Sequence, residues 1–105
     1  MQFLGDIDTF IEGEAIGIDT ETLALLVIRK EGIIYVYENR CPHRGIRLEW
    51  QANQFLDYEK QFIQCAMHGA LFTIKEGTCI AGPCPGERLT SLPFIIQQGK
   101  LYLKT

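Results

Sequence analysis

Histidine is scarce in this chain: two in 105 residues, at positions 43 and 68. Nowhere does a G-x-G-x-x-G or a G-x4-G-K-[ST] occur, so no nucleotide-phosphate cradle is signalled. No apolar run approaches the length of a bilayer span, and no membrane attachment is expected. The opening residues, Met1 to Asp6, have neither a basic n-region nor a sustained apolar h-region. A secretory leader is therefore not expected, and a cytoplasmic location is. In that compartment the four cysteines read as thiols or metal ligands before they read as a disulfide framework. Helix-period segments of useful length are also missing, as is any internal repeat.

Charge is short on one sign in each part of the chain. Residues 1–38 hold eight acids and two bases, whereas residues 39–105 hold five acids and eight bases. The basic excess is small and spread out, which disfavours nucleic-acid binding. With 105 residues and 47% apolar content, the chain reads as one globular domain, residues 1–105, with a real but small core. A bound metal centre would help such a core by cross-linking the chain.

Both histidines fall in two short stretches, Cys41-Pro42-His43-Arg44-Gly45 and Cys65-Ala66-Met67-His68-Gly69. Each puts a thiolate and an imidazole within a few residues and then a glycine, so two such loops could clamp a metal centre between them. A structural zinc site would pair C-x2-4-C with H-x3-5-H, and that pairing is absent. One residue between Cys41 and His43 is too few for both to reach around one tetrahedral ion. Two metals suit the pattern better, each loop giving its cysteine to one and its histidine to the other.

At these residues the sequence resembles the Rieske family, whose loops read C-x-H-x-G and C-x2-H-G. Gly82-Pro83 fits the family's third, proline-bearing loop. The resemblance implies a [2Fe–2S] cluster in which Cys41 and Cys65 bind one iron, and His43 and His68 bind the other through Nδ1. It also implies an all-β fold, a Rieske-like antiparallel β sandwich with an inserted cluster-binding subdomain at about residues 41–86. One departure is the spacer of twenty-one residues between His43 and Cys65. It is longer than in the simplest family ferredoxins, so the surface beside the cluster would be elaborated. High-potential relatives carry an extra cysteine in each ligand loop, and here those positions are Ile46 and Met67. No bridge can form there; an apolar contact is expected instead. The same relatives place a Ser and a Tyr, two and four residues after the second ligand histidine, against sulfur. Here they are Ala70 and Phe72.

Two ferric ions, two sulfides and two thiolates sum to zero charge, so such a cluster can be partly buried at little cost. Neutral imidazoles in place of two more thiolates make an added electron easier to accept, which raises the potential above plant-type values. With both histidines used as ligands, none remains for a 2-His-1-carboxylate iron site or a general base. The reading is a soluble one-electron carrier, not an enzyme acting alone. Its expected partners are a reductase upstream and a terminal oxygenase or other oxidoreductase downstream, with the carrier itself a monomer. Two alternatives remain: an electron-entry or regulatory subunit of a larger enzyme, as in assimilatory nitrite reductases, and a zinc-stabilised interaction module.

Along the chain, Asp6 to Glu14 reads as an acidic turn region anchored by Phe10 and Ile11. Glu14 to Ile18 reads as a strand, Asp19 to Thr22 as a turn, and Leu23 to Ile28 as a buried strand. Arg29 to Gly32 turns into Ile33 to Tyr37, the most β-prone stretch present. Phe62 to Gln64 and Leu71 to Ile74 are strands entering and leaving the second loop, and Lys75 to Thr78 a turn. Ser91 to Gln97 and Lys100 to Leu103 close as a hairpin around Gln98-Gly99, completing a base built from both chain ends. Cys79 and Cys84 read as buried thiols or a disulfide. Arg40, Arg44 and Arg47 read as solvated charge or as a positive field beside the first loop. Trp50, Phe55 and Tyr58 read as core or lid residues, and Leu71 and Phe72 as packing that keeps water off the site.

Overall fold

The computed structural model describes residues 1–42, 45, 47–49, 53–66, 69–82 and 86–104. These form nine strands: β1 (Gln2–Asp6), β2 (Ala15–Asp19), β3 (Ala24–Lys30), β4 (Ile33–Glu38), β5 (Phe62–Gln64), β6 (Leu71–Thr73), β7 (Cys79–Ala81), β8 (Phe94–Gln97) and β9 (Lys100–Leu103). They assemble into three antiparallel three-stranded sheets, ordered β1-β9-β8, β2-β3-β4 and β5-β6-β7. The only helical turn among the described residues is a 3-10 turn at Ile7–Thr9. The strand runs read along the sequence pointed to β structure, and the all-β antiparallel architecture is the one that the family resemblance implied.

The central sheet is a middle layer. Leu25 and Val27 of β3 face one core with Ile34, Val36, Leu101, Leu103 and Phe10. Leu26 and Ile28, pointing the opposite way, face a second core with Tyr37, Cys41, Phe55, Ile63, Cys65 and Phe72. This is why Leu25 to Ile28 is an unbroken apolar run: a strand covered on both faces has no polar side to show. Each fully buried Leu, Val, Ile or Phe contributes about 1.5–3 kcal/mol relative to exposure.

Turn chemistry sets the register of the central sheet. Glu31 and Gly32 sit at φ 53° and 78°, the doubly positive pair of a two-residue hairpin. Their amides both donate to the Glu12 carboxylate, at 2.6 and 2.8 Å. Those two bonds lower the Glu12 pKa below its ordinary value. At the other end Thr20 Oγ1 accepts from Leu23 N and donates to Leu23 O.

Several sequence expectations shift. Ile11 is not an anchor: it is exposed, and of the two it is Phe10 that fills the core beneath the 3-10 turn. The last hairpin begins at Phe94 rather than Ser91, because Pro93 has no amide to give the ladder; Ser91 instead bridges to Tyr37. Two strands had no sequence counterpart. β1 contains Gly5 and a register shift, and β7 is three residues followed by glycine, so neither carries a clear alternation.

Sheet three is pegged to the middle layer by Tyr37. Its hydroxyl donates to Ile74 O at 2.6 Å inside the core, and burial pushes its pKa up to about 12. Tyr37→Phe should leave the Ile74 carbonyl unpaired and cost about 1–3 kcal/mol in denaturant unfolding. The sign of the alkaline effect follows: stability from the neutral phenol is complete below pH 10 and lost as pH rises through about 12. Tyr37→Phe should remove that part of the alkaline transition; an unchanged alkaline unfolding curve would contradict the assignment.

Candidate metal centre

Two loops of the same build open from the third sheet and the end of β4. In the first, Gly45 N donates to Cys41 O at 2.6 Å; in the second, Gly69 N donates to Cys65 O at 2.8 Å. Both glycines are left-handed, at φ 70° and 67°. A bond from the glycine amide to the cysteine carbonyl therefore closes each motif end to end. The motifs differ only in where the histidine falls within that span. The left-handed position explains the glycine in each motif, since other residues pay strain there.

The structure brings Cys41 and Cys65 into one core, 1% and 0% exposed, with Leu48, Ala70, Phe72 and Cys79 around them. Thiolate sulfur is the donor an iron–sulfur cluster takes, and the apolar wall would keep bulk water from it. On that donor chemistry the residues present fit such a group. His43 and His68 lie outside the described residues, as do Arg44, Ile46, Trp50, Met67, Pro83 and Cys84. The expected apolar contact of Ile46 with Met67 therefore also lies outside them. Cys79 is buried and its thiol donates to Ala81 O at 3.3 Å.

Backbone and side-chain bonds join the two loops. Asn39, two residues before Cys41, is buried at 5% exposure. Its Oδ1 accepts from Leu48 N at 2.8 Å, and its Nδ2 donates to Glu49 Oε1 at 2.7 Å. Leu48 O in turn accepts from Ala66 N, the residue after Cys65, at 2.8 Å. Cys65 N donates to Ala70 O at 2.9 Å, closing the second loop on itself. None of this was legible in the sequence. An Asn at the end of a strand reads as a turn residue, and nothing local says its amide is buried.

The segment between the loops lies along β2. Phe55 is wholly buried, with its ring against Gly17, where a Cβ would stand 3.0 Å from the ring. Asn53 Oδ1 accepts from Gly17 N at 2.8 Å, and Lys60 pairs with Glu14. Phe55 is thus core, whereas Tyr58 is fully exposed and neither core nor lid. Of the arginines, Arg47 is tied to Asp19 at 3.0 Å on the surface, an exposed pair of small energetic weight. Arg40 is exposed, with its guanidinium beside Gly45.

Gly82, after β7, comes against Ala70. A Cβ there would stand 2.7 Å from Ala70 Cα, and φ is +101°. Gly82→Ala should cost about 2–4 kcal/mol, combining left-handed strain with overpacking on the second loop. Gly86, at φ +87° with open space around it, is the control. Gly86→Ala should cost about 1–2 kcal/mol, the backbone part alone. Equal losses in chemical denaturation would show that the contact with Ala70 carries nothing.

The model of the Rieske [2Fe-2S] domain matches residues 1–98. The 3-phenylpropionate/cinnamic acid dioxygenase ferredoxin subunit of Escherichia coli K12 is 27% identical over 92 residues, covering 88% of this chain and 81% of that one. Cholesterol 7-desaturase of Caenorhabditis elegans is 30% identical over 86 residues, 75% of this chain; the match spans only 19% of the desaturase. Among solved structures, the Sphingomonas yanoikuyae B1 ferredoxin superposes with a TM-score of 0.75 at 25% identity, over 98% of this chain and 96% of that one.

Proposed function

The chain belongs to the Rieske [2Fe-2S] domain family, and from that membership we propose that it is a one-electron carrier serving an oxygenase. The observation that carries this is the pair of buried cysteines at the roots of two identically closed loops. Cys41 and Cys65 would hold one iron and His43 and His68 the other, within a unit spanning about residues 41–86. The cluster supplies reversible acceptance of a single electron. The chain's own part is to hold the sulfur donors, exclude water with Leu48, Phe72 and Ala70, and leave Arg40 exposed at the rim of the first loop. A reductase feeds it, the carrier is a cytoplasmic monomer, and a relative of matching length is named as a dioxygenase ferredoxin subunit. A second reading, an electron-entry component within a larger enzyme, is favoured by the 30% identity to a desaturase of which this chain spans 19%. Size-exclusion profiles of the purified protein, with and without a cognate oxygenase, separate the two.

Protein purified without oxygen should be red-brown, with two irons and two sulfides per chain, the content of a [2Fe–2S] cluster. Once reduced, it should show a Rieske-type EPR signal with average g below the free-electron value. Cys41→Ala or His68→Ala should abolish that signal. Stoichiometric zinc without iron, in protein from iron-replete cells, would sink the proposal.

The potential should lie at the negative end of the family window of roughly −150 to +300 mV. Ala70 and Phe72 are both wholly buried, and neither has a hydroxyl to donate to sulfur. A hydrogen bond to sulfur strengthens when the cluster gains an electron, so its absence disfavours the reduced form. If each hydroxyl is worth about 1–2 kcal/mol, Ala70→Ser and Phe72→Tyr should each raise the midpoint by roughly 40–90 mV. The charge of Arg40 acts in the opposite sense to the missing hydroxyls, but exposed charge is screened by water and salt. Voltammetry on the three proteins checks this, and a wild-type midpoint above about +100 mV would refute it.

A further inference from the structure

We propose that Asn39 is a positioning residue that sets the spacing of the two ligand loops, acting through the Leu48 peptide on the residue after Cys65. The proposal rests on the cluster reading above. Leu48 is wholly buried, so both polar groups of its backbone need protein partners. Its N–H has Asn39 Oδ1 at 2.8 Å, and its carbonyl has Ala66 N at 2.8 Å. A side chain two residues before the first ligand cysteine is thereby connected to the backbone one residue after the second. If the Asn39 acceptor is removed, the Leu48 N–H loses its partner. The segment must then turn to find another, carrying its carbonyl away from Ala66.

The direction of the Asn39 amide is set by its surroundings. Leu48 N–H requires an acceptor, and the Glu49 carboxylate, 2.7 Å from Nδ2, requires a donor. Oxygen therefore faces Leu48 and nitrogen faces Glu49, with no equivalent flipped arrangement. Asn39 is also anchored from behind, its own N–H donating to Ala24 O at 2.9 Å in the central sheet. The spacing of the loops is thus referred to the middle layer. Glu49 acts as the orienting group for the amide.

This polarity yields a rescue experiment on the cluster-loaded protein. Asn39→Leu removes the acceptor. Asn39→Asp keeps it but sets two carboxylates against each other. Both should release iron to a chelator about tenfold faster than wild type, as expected for one lost buried hydrogen bond. Both should also change the visible circular dichroism of the cluster. The double variant Asn39→Asp/Glu49→Gln restores a donor–acceptor pair with reversed polarity, and should return both release rate and spectrum close to wild type. A residue needed only for general stability would leave the visible spectrum of the folded, cluster-loaded protein unchanged. Wild-type release and spectrum in Asn39→Leu, or a double variant as fast as Asn39→Asp, would overturn the proposal alone. Wild-type protein that binds no iron would overturn the cluster reading and the proposal with it.

Discussion

Both cores among the described residues meet at β3, a strand buried on both of its faces. Leu25 and Val27 seal the core toward the sheet made from the two chain ends, while Leu26 and Ile28 seal the core that contains the two loop cysteines. A single strand thus carries two layers of packing. The period of two that sends alternate side chains to opposite faces lets one short segment do so. The hairpin turns at both ends of β3 are held by side chains, Thr20 at one and Glu12 at the other. A register slip of one residue would exchange the two faces and mismatch both cores at once.

The third sheet and its loops meet this frame through a shared apolar core and through specific buried contacts. Tyr37 reaches across to Ile74, Phe55 packs on Gly17, and Asn39 reaches forward to Leu48. A polar group placed in a core must find its partner or cost the desolvation of both, so these bonds specify position as well as adding stability. Gly17 and Gly82 mark where backbone and side chain come so close that a Cβ has no room. The loops carry their own internal closure as well, each a cysteine carbonyl met by a left-handed glycine. Local turns shape each loop, while the frame sets the distance between them.

Charge is arranged to similar effect. The acidic first third of the chain uses its carboxylates on itself and on nearby bases. Glu12 takes turn amides, Asp19 takes Arg47, Glu14 takes Lys60 and Asp6 takes Lys100. Arg47, which by sequence could have added to a positive field at the first loop, is offset by Asp19. Arg40 remains exposed beside Gly45. Among the described residues, the positive character of the rim is thus narrower than a count of arginines suggests.

The family, the cofactor class and the all-β architecture could be read from residues alone, since they depend on short-range information. A cysteine, a histidine and a glycine within five residues announce a ligand loop, and the alternation and turn residues announce most of the strands. Even the doubly buried β3 shows as an apolar run. The strands that escaped notice, β1 and β7, are short and interrupted by glycine or a register shift, so no period builds up. Ile11 and Phe10 looked alike as anchors because hydrophobicity does not say which neighbour the 3-10 turn aims inward. What tertiary structure alone decided are the contacts between segments distant in sequence: Tyr37 with Ile74, Phe55 with Gly17, Gly82 with Ala70, and the link from Asn39 through Leu48 to Ala66. Their partners are chosen by how three layers stack, and stacking leaves no periodic trace along the chain.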